Sequence, residues 1–299
     1  MIVFLSVIQP KDPSLPTPTL VTTVAQLRET LAAVRGAGKR IALVPTMGAL
    51  HEGHLSLVRA AQAECDYTVV SIYVNPSQFG PGEDLATYPR TMQADLAALA
   101  AFRADLVFAP SDEEVYRPGH ATWVEVGGVA EPLEGACRPG HFRGVATIVL
   151  KLLGMVQPDA AYFGQKDFQQ ARVIQRMAAD LDLPVTIRVC PIVREPDGLA
   201  MSSRNRRLSP AARQRALVLW QSLLLARDLV ARGERRAAVI AAQMREMIEI
   251  ADDARIDYIA LVDPDTLRPV ETVAGPTLAA LAVKIEDTRL IDNCLLEPK

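Results

Sequence analysis

Two histidines set three residues apart carry the first chemical signal, in the run Val44-Pro45-Thr46-Met47-Gly48-Ala49-Leu50-His51-Glu52-Gly53-His54. An apolar strand, Ile41–Val44, precedes them and is expected to end at Pro45. After them Leu55-Ser56-Leu57-Val58-Arg59-Ala60-Ala61 resumes at helical spacing. A strand that turns into a helix aims several backbone N–H groups and the positive end of the helix dipole at one spot, which makes an anion site. Gly48 and Gly53 allow a ligand close to the backbone. His51 and His54 share one face of the opening turn. Imidazoles beside a phosphate cradle point to chemistry on a nucleotide phosphate. A turn that the two rings merely cap and pack stays open as the plainer reading. Zinc is disfavoured, because metalloprotease helices space their histidines four apart around a glutamate.

Three more segments carry candidate groups. Ser71-Ile72-Tyr73-Val74-Asn75-Pro76-Ser77-Gln78-Phe79 leaves an apolar strand and presents Asn75 and Gln78, neutral amides able to bond a hydroxyl or carboxylate. Tyr162-Phe163-Gly164-Gln165-Lys166-Asp167-Phe168-Gln169-Gln170 again runs from strand through glycine to helix, with Lys166 placed to meet phosphates. Leu199-Ala200-Met201-Ser202-Ser203-Arg204-Asn205 offers two hydroxyls and a guanidinium, suited to clamp a pyrophosphate leaving group. Each has an ordinary alternative. Gln170 could be an exposed helix residue, and Ser202 and Ser203 simple turn residues. Arg206 and Arg207 read as a solvated basic run. Asp95 is a candidate magnesium ligand, against a solvated carboxylate in a first helical turn. His141 reads as a loop support.

The elements that must position these groups alternate. Helices are expected over Thr23–Gly36, Leu55–Glu64, Thr91–Phe102, Gly144–Val156 and Phe168–Leu181. Strands are expected at Ile41–Val44, Tyr67–Val74, Leu106–Ala109, Ala160–Phe163 and Val185–Val189. That pattern predicts a doubly wound α/β fold with a parallel, Rossmann-like sheet that binds ligands at its strands' carboxyl ends. After about residue 208 the pattern changes to two long helices, Pro210–Arg232 and Arg235–Ile250, then strands at Ile256–Val262 and Leu278–Ile285. The expected division is an N-terminal extension (1–20), a nucleotide-binding domain (21–195) and a smaller α+β lid domain (196–299).

Composition sets the bounds. The 299 residues permit a sizeable core, and 49% hydrophobic with 22% charged residues is ordinary for a globular protein. A net charge of −3 gives no general polyanion-binding surface, so no nucleic-acid partner is expected. Cys65, Cys137, Cys190 and Cys294 lack metal or redox spacing and read as reduced thiols of a cytoplasmic protein. Met1–Ile8 is too short for a membrane span and lacks the marks of a signal peptide.

The spacing His51-x-x-His54 resembles the signature of nucleotidyltransferases and class I aminoacyl-tRNA synthetases. The four segments together, in this order, closely resemble the pantothenate synthetase (pantoate–β-alanine ligase) family. Tyr88-Pro89-Arg90-Thr91, Leu133-Glu134-Gly135, Arg138-Pro139-Gly140-His141-Phe142-Arg143-Gly144 and Arg289-Leu290-Ile291-Asp292-Asn293 extend that resemblance from about Thr22 to Asn293.

The resemblance implies ATP-dependent ligation of pantoate and β-alanine through pantoyl adenylate, releasing pyrophosphate and AMP, with magnesium assisting. It implies an ATP site made from Pro45, Met47, Gly48, Ala49, Leu50, His51, Glu52, Gly53 and His54, then Gly164, Gln165, Lys166, Asp167 and Val193, then Met201, Ser202, Ser203 and Arg204. His54 would be a proton donor and His51 a donor to the phosphates, with Lys166, Ser202, Ser203 and Arg204 stabilising charge. Gln78 and Gln170 would hold pantoate, with Asn75 nearby, and the chain would form a homodimer through its N-terminal domain.

Two departures stand out. Many relatives carry Glu where this chain has Gln165, and the clamp lacks the two lysines of the synthetase KMSKS loop. The rivals are an enzyme that adenylylates a phosphate ester, a tRNA-directed synthetase fragment and a nucleotide-binding regulator. The neutral pair Gln78 and Gln170 argues against a phosphorylated substrate, which would call for more Lys or Arg.

Overall fold

The computed structural model describes residues 17–298. Most of the expected N-terminal extension therefore lies outside the described residues. The chain runs β1 (Thr19–Val21), α1 (Val24–Gly36), β2 (Ile41–Thr46), α2 (Glu52–Glu64), β3 (Tyr67–Ile72), α3 (Met92–Ala101) and β4 (Leu106–Phe108). Next come α4 (Asp112–Val115), α5 (Glu134–Cys137), α6 (His141–Val156), β5 (Ala160–Gly164), α7 (Phe168–Asp180) and β6 (Thr186–Cys190). The remainder is α8 (Pro210–Arg215), α9 (Leu217–Ala231), α10 (Ala237–Glu249), β7 (Arg255–Val262), β8 (Thr277–Ile285) and β9 (Thr288–Leu296).

The first six strands form one parallel sheet in the order β1-β4-β3-β2-β5-β6. Strand order reverses between β2 and β5, so the crevice that doubly wound sheets use for ligands opens beyond Thr46 and Gly164. Alternation along β2 feeds both faces. Ile41 and Leu43 join Leu27, Leu31 and Val145 on one side, while Ala42 and Val44 join Leu55, Val58 and Leu99 on the other.

Pro45 does not end β2. The strand keeps its register with β3 as far as Thr46↔Ile72, whereas pairing with β5 covers only Ala42 and Leu43. The Thr46 carbonyl accepts from Tyr73 N at 3.1 Å and so faces β3. By alternation Pro45 faces the side where β2 has parted from β5, and its missing N–H costs no ladder bond. The same parting of β2 from β5 opens the crevice.

The smaller sheet is antiparallel, β7-β8-β9. Its central strand is almost wholly buried and packs on α9 and α10 through Leu219, Leu223, Ile240, Met244 and Leu281. Two sequence expectations change here. The long helix Pro210–Arg232 divides at Ala216 (ψ −18°) into α8 and α9. β9 is an additional strand, entered through a tight turn in which Glu286 holds φ +50°. A non-glycine residue in that conformation gives no sequence cue for a hairpin. Among the described residues no helix is long and apolar enough to cross a membrane, and all four cysteines are unpaired.

Candidate active site

The turn after β2 is held by its own neighbourhood. α2 begins three residues earlier than apolar periodicity suggests, because His51 serves as its N-cap. His51 Nδ1 accepts from Gly53 N at 3.2 Å, and His54 Nδ1 accepts from His51 N at 3.3 Å. This is a capping box with imidazoles in place of the usual Ser and Glu. An Nδ1 that accepts an N–H carries no proton, so each neutral ring holds its hydrogen on Nε2 as a donor. The rings stand 4.0 Å apart. Burial, followed by the charges of Lys166 and Arg206, lowers His51 to about 4. Burial, then His51 and Lys166, pushes His54 well below its ordinary value. At neutral pH both are uncharged donors.

Asp95 shapes the same turn from behind. Gly48 (φ +77°) and Ala49 (φ +50°) place two successive residues in the left-handed region, a conformation that Ala adopts only under constraint. The Asp95 carboxylate supplies it, accepting from Ala49 N at 3.0 Å, Leu50 N at 2.8 Å and the Thr91 hydroxyl at 3.2 Å. At 2% exposure it is not the solvated carboxylate of a first helical turn. Its lone pairs are committed to the turn.

The turn after β5 is fastened from far along the chain. Asn293 of β9, 3% exposed, donates from Nδ2 to the carbonyls of Gln165 and Lys166 at 3.0 and 2.9 Å. Gln165 Nε2 returns a bond to Asn293 Oδ1 at 3.4 Å. The adjacent Asp292 takes a bidentate bond from Arg194 at 2.6 and 2.9 Å, and Arg194 lies 3.6 Å over the Trp220 ring. Lys166 Nζ sits 3.7 Å from Asp167.

Both turns open on one cavity of about 210 Å³. Of the residues marked in the sequence, it brings together Pro45, Met47, His51, Gly53, His54, Asn75, Gln78, Gly164, Lys166, Asp167, Gln170, Val193, Met201, Ser202, Ser203 and Arg204. Gly48, Ala49, Leu50, Glu52 and Gln165 lie outside its lining. Ala49 and Leu50 are buried, and Glu52 pairs outward with Arg59. Val145, Ile148, Val149 and Leu152 of α6 add an apolar wall that sequence reasoning did not single out as functional. Their helical spacing was legible; their facing a ligand was not. A second cavity of about 290 Å³ reaches from Lys166, Gln170, Ser202 and Arg204 toward β8 and β9.

The amides divide by role. Among the described residues Gln78 Nε2 has only the Met47 sulfur at 3.2 Å as acceptor, a weak partner that leaves the amide available to a ligand oxygen. Asn75 is saturated internally. It donates to Gln78 Oε1 at 3.0 Å and to the Gly144 carbonyl at 3.2 Å, and accepts from Tyr116 and Ser77. α6 can approach this closely only because residue 144 is glycine; a Cβ there would lie 2.3 Å from the Ser77 carbonyl oxygen. In the clamp, Arg204 makes a bidentate pair with Asp84 at 3.0 and 2.9 Å, and the Ser203 hydroxyl meets Tyr88 at 3.4 Å. Arg207, expected to be merely solvated, also binds Asp84, at 2.8 Å.

A parallel α/β crevice with paired neutral histidines capping a helix, a lysine at the next strand end and a hydroxyl-rich clamp defines an enzyme of the two-histidine nucleotidyltransferase class. Residues 19–295 match the family described as pantoate-beta-alanine ligase. The pantothenate synthetase of Roseiflexus sp. (strain RS-1) is 56% identical over 93% of this chain and 99% of its own length. The crystal structure of pantothenate synthetase from Thermus thermophilus superposes with a TM-score of 0.90 at 45% identity, covering 94% of this chain and all of that one. The ligase of Francisella tularensis, solved with an ATP ligand and β-alanine, gives a TM-score of 0.76 at 33% identity, over 93% of this chain and 97% of that one. The chain belongs to the pantoate-β-alanine ligase family. Its activity is the joining of pantoate and β-alanine to make pantothenate.

Proposed function

We propose that ligation runs in two half-reactions in this one cavity. A carboxylate oxygen of pantoate attacks the α-phosphorus of ATP, and the bond to the β-phosphate breaks to release pyrophosphate. The uncharged amine of β-alanine then attacks the acyl carbon of pantoyl adenylate. AMP leaves with the oxygen that bridged carbon and phosphorus, and the amine proton is lost. The observation that carries this reading is two Nε2–H imidazoles at a helix N-terminus facing the same cavity as Gln78, Gln170 and Lys166.

Both steps build negative charge on oxygens, so fixed donors contribute most. His54 and His51 donate to the phosphates without the cost of a buried cation. Lys166, Ser202, Ser203 and Arg204 meet the departing pyrophosphate, for which Arg204 exchanges its Asp84 partner for phosphate oxygens. Gln78 and Gln170 take pantoate's hydroxyls and carboxylate, its two methyls lie on the α6 wall, and Asn75 positions Gln78. Among the described residues no group of three or more His, Cys, Asp or Glu side chains is arranged to hold a metal. Magnesium enters with ATP as the MgATP substrate, where it would shield the triphosphate and assist the departure of pyrophosphate.

The division at about residue 195 follows the separate cores of the two sheets, and the smaller unit closes over ATP to keep water from the acyl adenylate. A homodimer through the N-terminal unit is favoured by the segment 121–126, which lies in no helix or strand and exposes Trp123 (42%). Light scattering at micromolar concentration should give twice the chain mass; a monomer would exclude the dimer. A cytoplasmic location fits four unpaired thiols. The reaction itself is tested with pantoate labelled by ¹⁸O in its carboxylate. One label should appear in AMP; AMP free of label would rule out attack by that carboxylate.

A further inference from the structure

His141 opens α6 against the very turn that carries Gln78. Its Nδ1 donates to the Gln78 main-chain carbonyl at 2.8 Å, while its Nε2 accepts from Arg138 Nη1 at 3.1 Å. Burial, then the Arg138 charge, lowers His141 to about 4, so the ring stays neutral and keeps one donor and one acceptor. Arg138 is fixed by a bidentate pair with Glu83 at 2.8 and 2.7 Å and lies 3.7 Å from Glu134.

Glu134 is buried and ties α5 to the smaller sheet. It receives Arg289 of β9 through two bonds of 2.7 and 2.8 Å and the Tyr258 hydroxyl of β7 at 2.8 Å. Arg289 is anchored in turn by Asp257 at 2.6 Å. Burial alone would raise the Glu134 carboxyl, but the Arg289 guanidinium outweighs it and holds the group below the usual range. A buried carboxylate with two cations and a hydroxyl is fixed in direction, because any displacement strands a charge.

We propose that Glu134, Arg138 and His141 are positioning residues for pantoate, a relay by which β7 and β9 fix the Gln78 turn. None of the three lines the cavity where Gln78 faces Lys166 and the histidines, although all three line the adjoining cavity toward β8 and β9; they reach Gln78 through its backbone. The relay gives a role to the short helix α5 and the turn at Gly140 (φ +83°) that leads into α6. It also gives the smaller sheet a second hold on the site, separate from that of Asn293 on the nucleotide turn. The proposal rests on the reading above that Gln78 contacts pantoate.

The experiment is steady-state kinetics of the full chain, with KM for pantoate, ATP and β-alanine measured separately. Glu134→Gln keeps shape and removes the charge that orders both arginines. His141→Leu removes the donor to Gln78, whereas His141→Asn keeps an N–H where Nδ1 stands. We expect about a tenfold rise in pantoate KM for Glu134→Gln and His141→Leu, with ATP KM changed less than twofold, and recovery to within threefold in His141→Asn. Gln78→Ala serves as the reference. If Gln78→Ala raises pantoate KM and the relay variants do not, or they raise both KM values equally, the relay is wrong. If Gln78→Ala itself leaves pantoate KM unchanged, the pantoate site is misplaced and the relay fails with it. A lowered melting temperature with unchanged KM values would reduce the network to fold support and overturn the proposal.

Discussion

The turns after β2 and β5 face each other across one cavity, yet they are built in opposite ways. The first is secured from within a short reach: two histidines cap their own helix, and Asp95 of α3 holds Ala49 and Leu50. The second is secured by Asn293, more than a hundred residues later and in the other sheet. A site half made locally and half made by tertiary contact separates where donors point from when they are assembled. The first turn is preformed for the phosphates proposed to bind there, and the second ties Lys166 to the position of the smaller sheet.

The sharpest break of that comparison is His54→Ala. It removes the neutral donor proposed to meet the reacting phosphate, together with half of the capping box. We expect kcat to fall by about 10²–10⁴-fold, with the melting temperature lowered by only the few degrees that a lost cap of about 1 kcal/mol implies. Rapid-quench measurement of AMP formation checks this, and a fall of less than tenfold would deny His54 a catalytic part. Asp95→Ala should act next most strongly and on a different quantity. It orphans two buried N–H groups at about 1–3 kcal/mol each, so thermal unfolding should shift and ATP KM should rise about tenfold or more. An added magnesium requirement without loss of stability would instead restore Asp95 as a metal ligand.

Asn293→Ala tests the tertiary half. It frees two carbonyls that water can reach more readily. Stability should drop by about 1 kcal/mol and ATP KM should rise several-fold, with pantoate KM held. A pantoate effect as large as the ATP effect would show that the second turn is not separately fastened. The smallest effect is that of pH. His51 and His141 sit near 4 and His54 is also lowered. Between about 6.5 and 4 the unfolded chain binds protons that the fold excludes, so stability falls as pH drops through that window. From pH 6 to 8, kcat/KM should show no inflection attributable to histidine; an inflection near 6.5 would mean that one of the two active-site rings titrates normally.

The same contrast explains what the sequence discloses. The cradle, the alternation of strands and helices, and Gln78, Lys166 and the serines are legible because local spacing places them. The start of α2 is misplaced by periodicity because it follows apolar residues, while the cap is a histidine. Pro45 reads as a strand breaker because the missing neighbour on its β5 side is a property of the sheet. β9 is missed because its turn uses Glu286 rather than glycine. Asp95, Asn75 and Arg207 each take a partner that local spacing does not disclose. Those partners are the β2 turn, the Gly144 carbonyl and Asp84.

The central claim is that one cavity makes the acyl adenylate before β-alanine arrives. The direct test is isotope exchange between ATP and pyrophosphate with magnesium and pantoate, leaving β-alanine out. The expected result is exchange that requires pantoate and disappears in His54→Ala. An enzyme that makes AMP and pantothenate when both substrates are present, yet shows no exchange and forms no bound pantoyl adenylate without β-alanine, would contradict it.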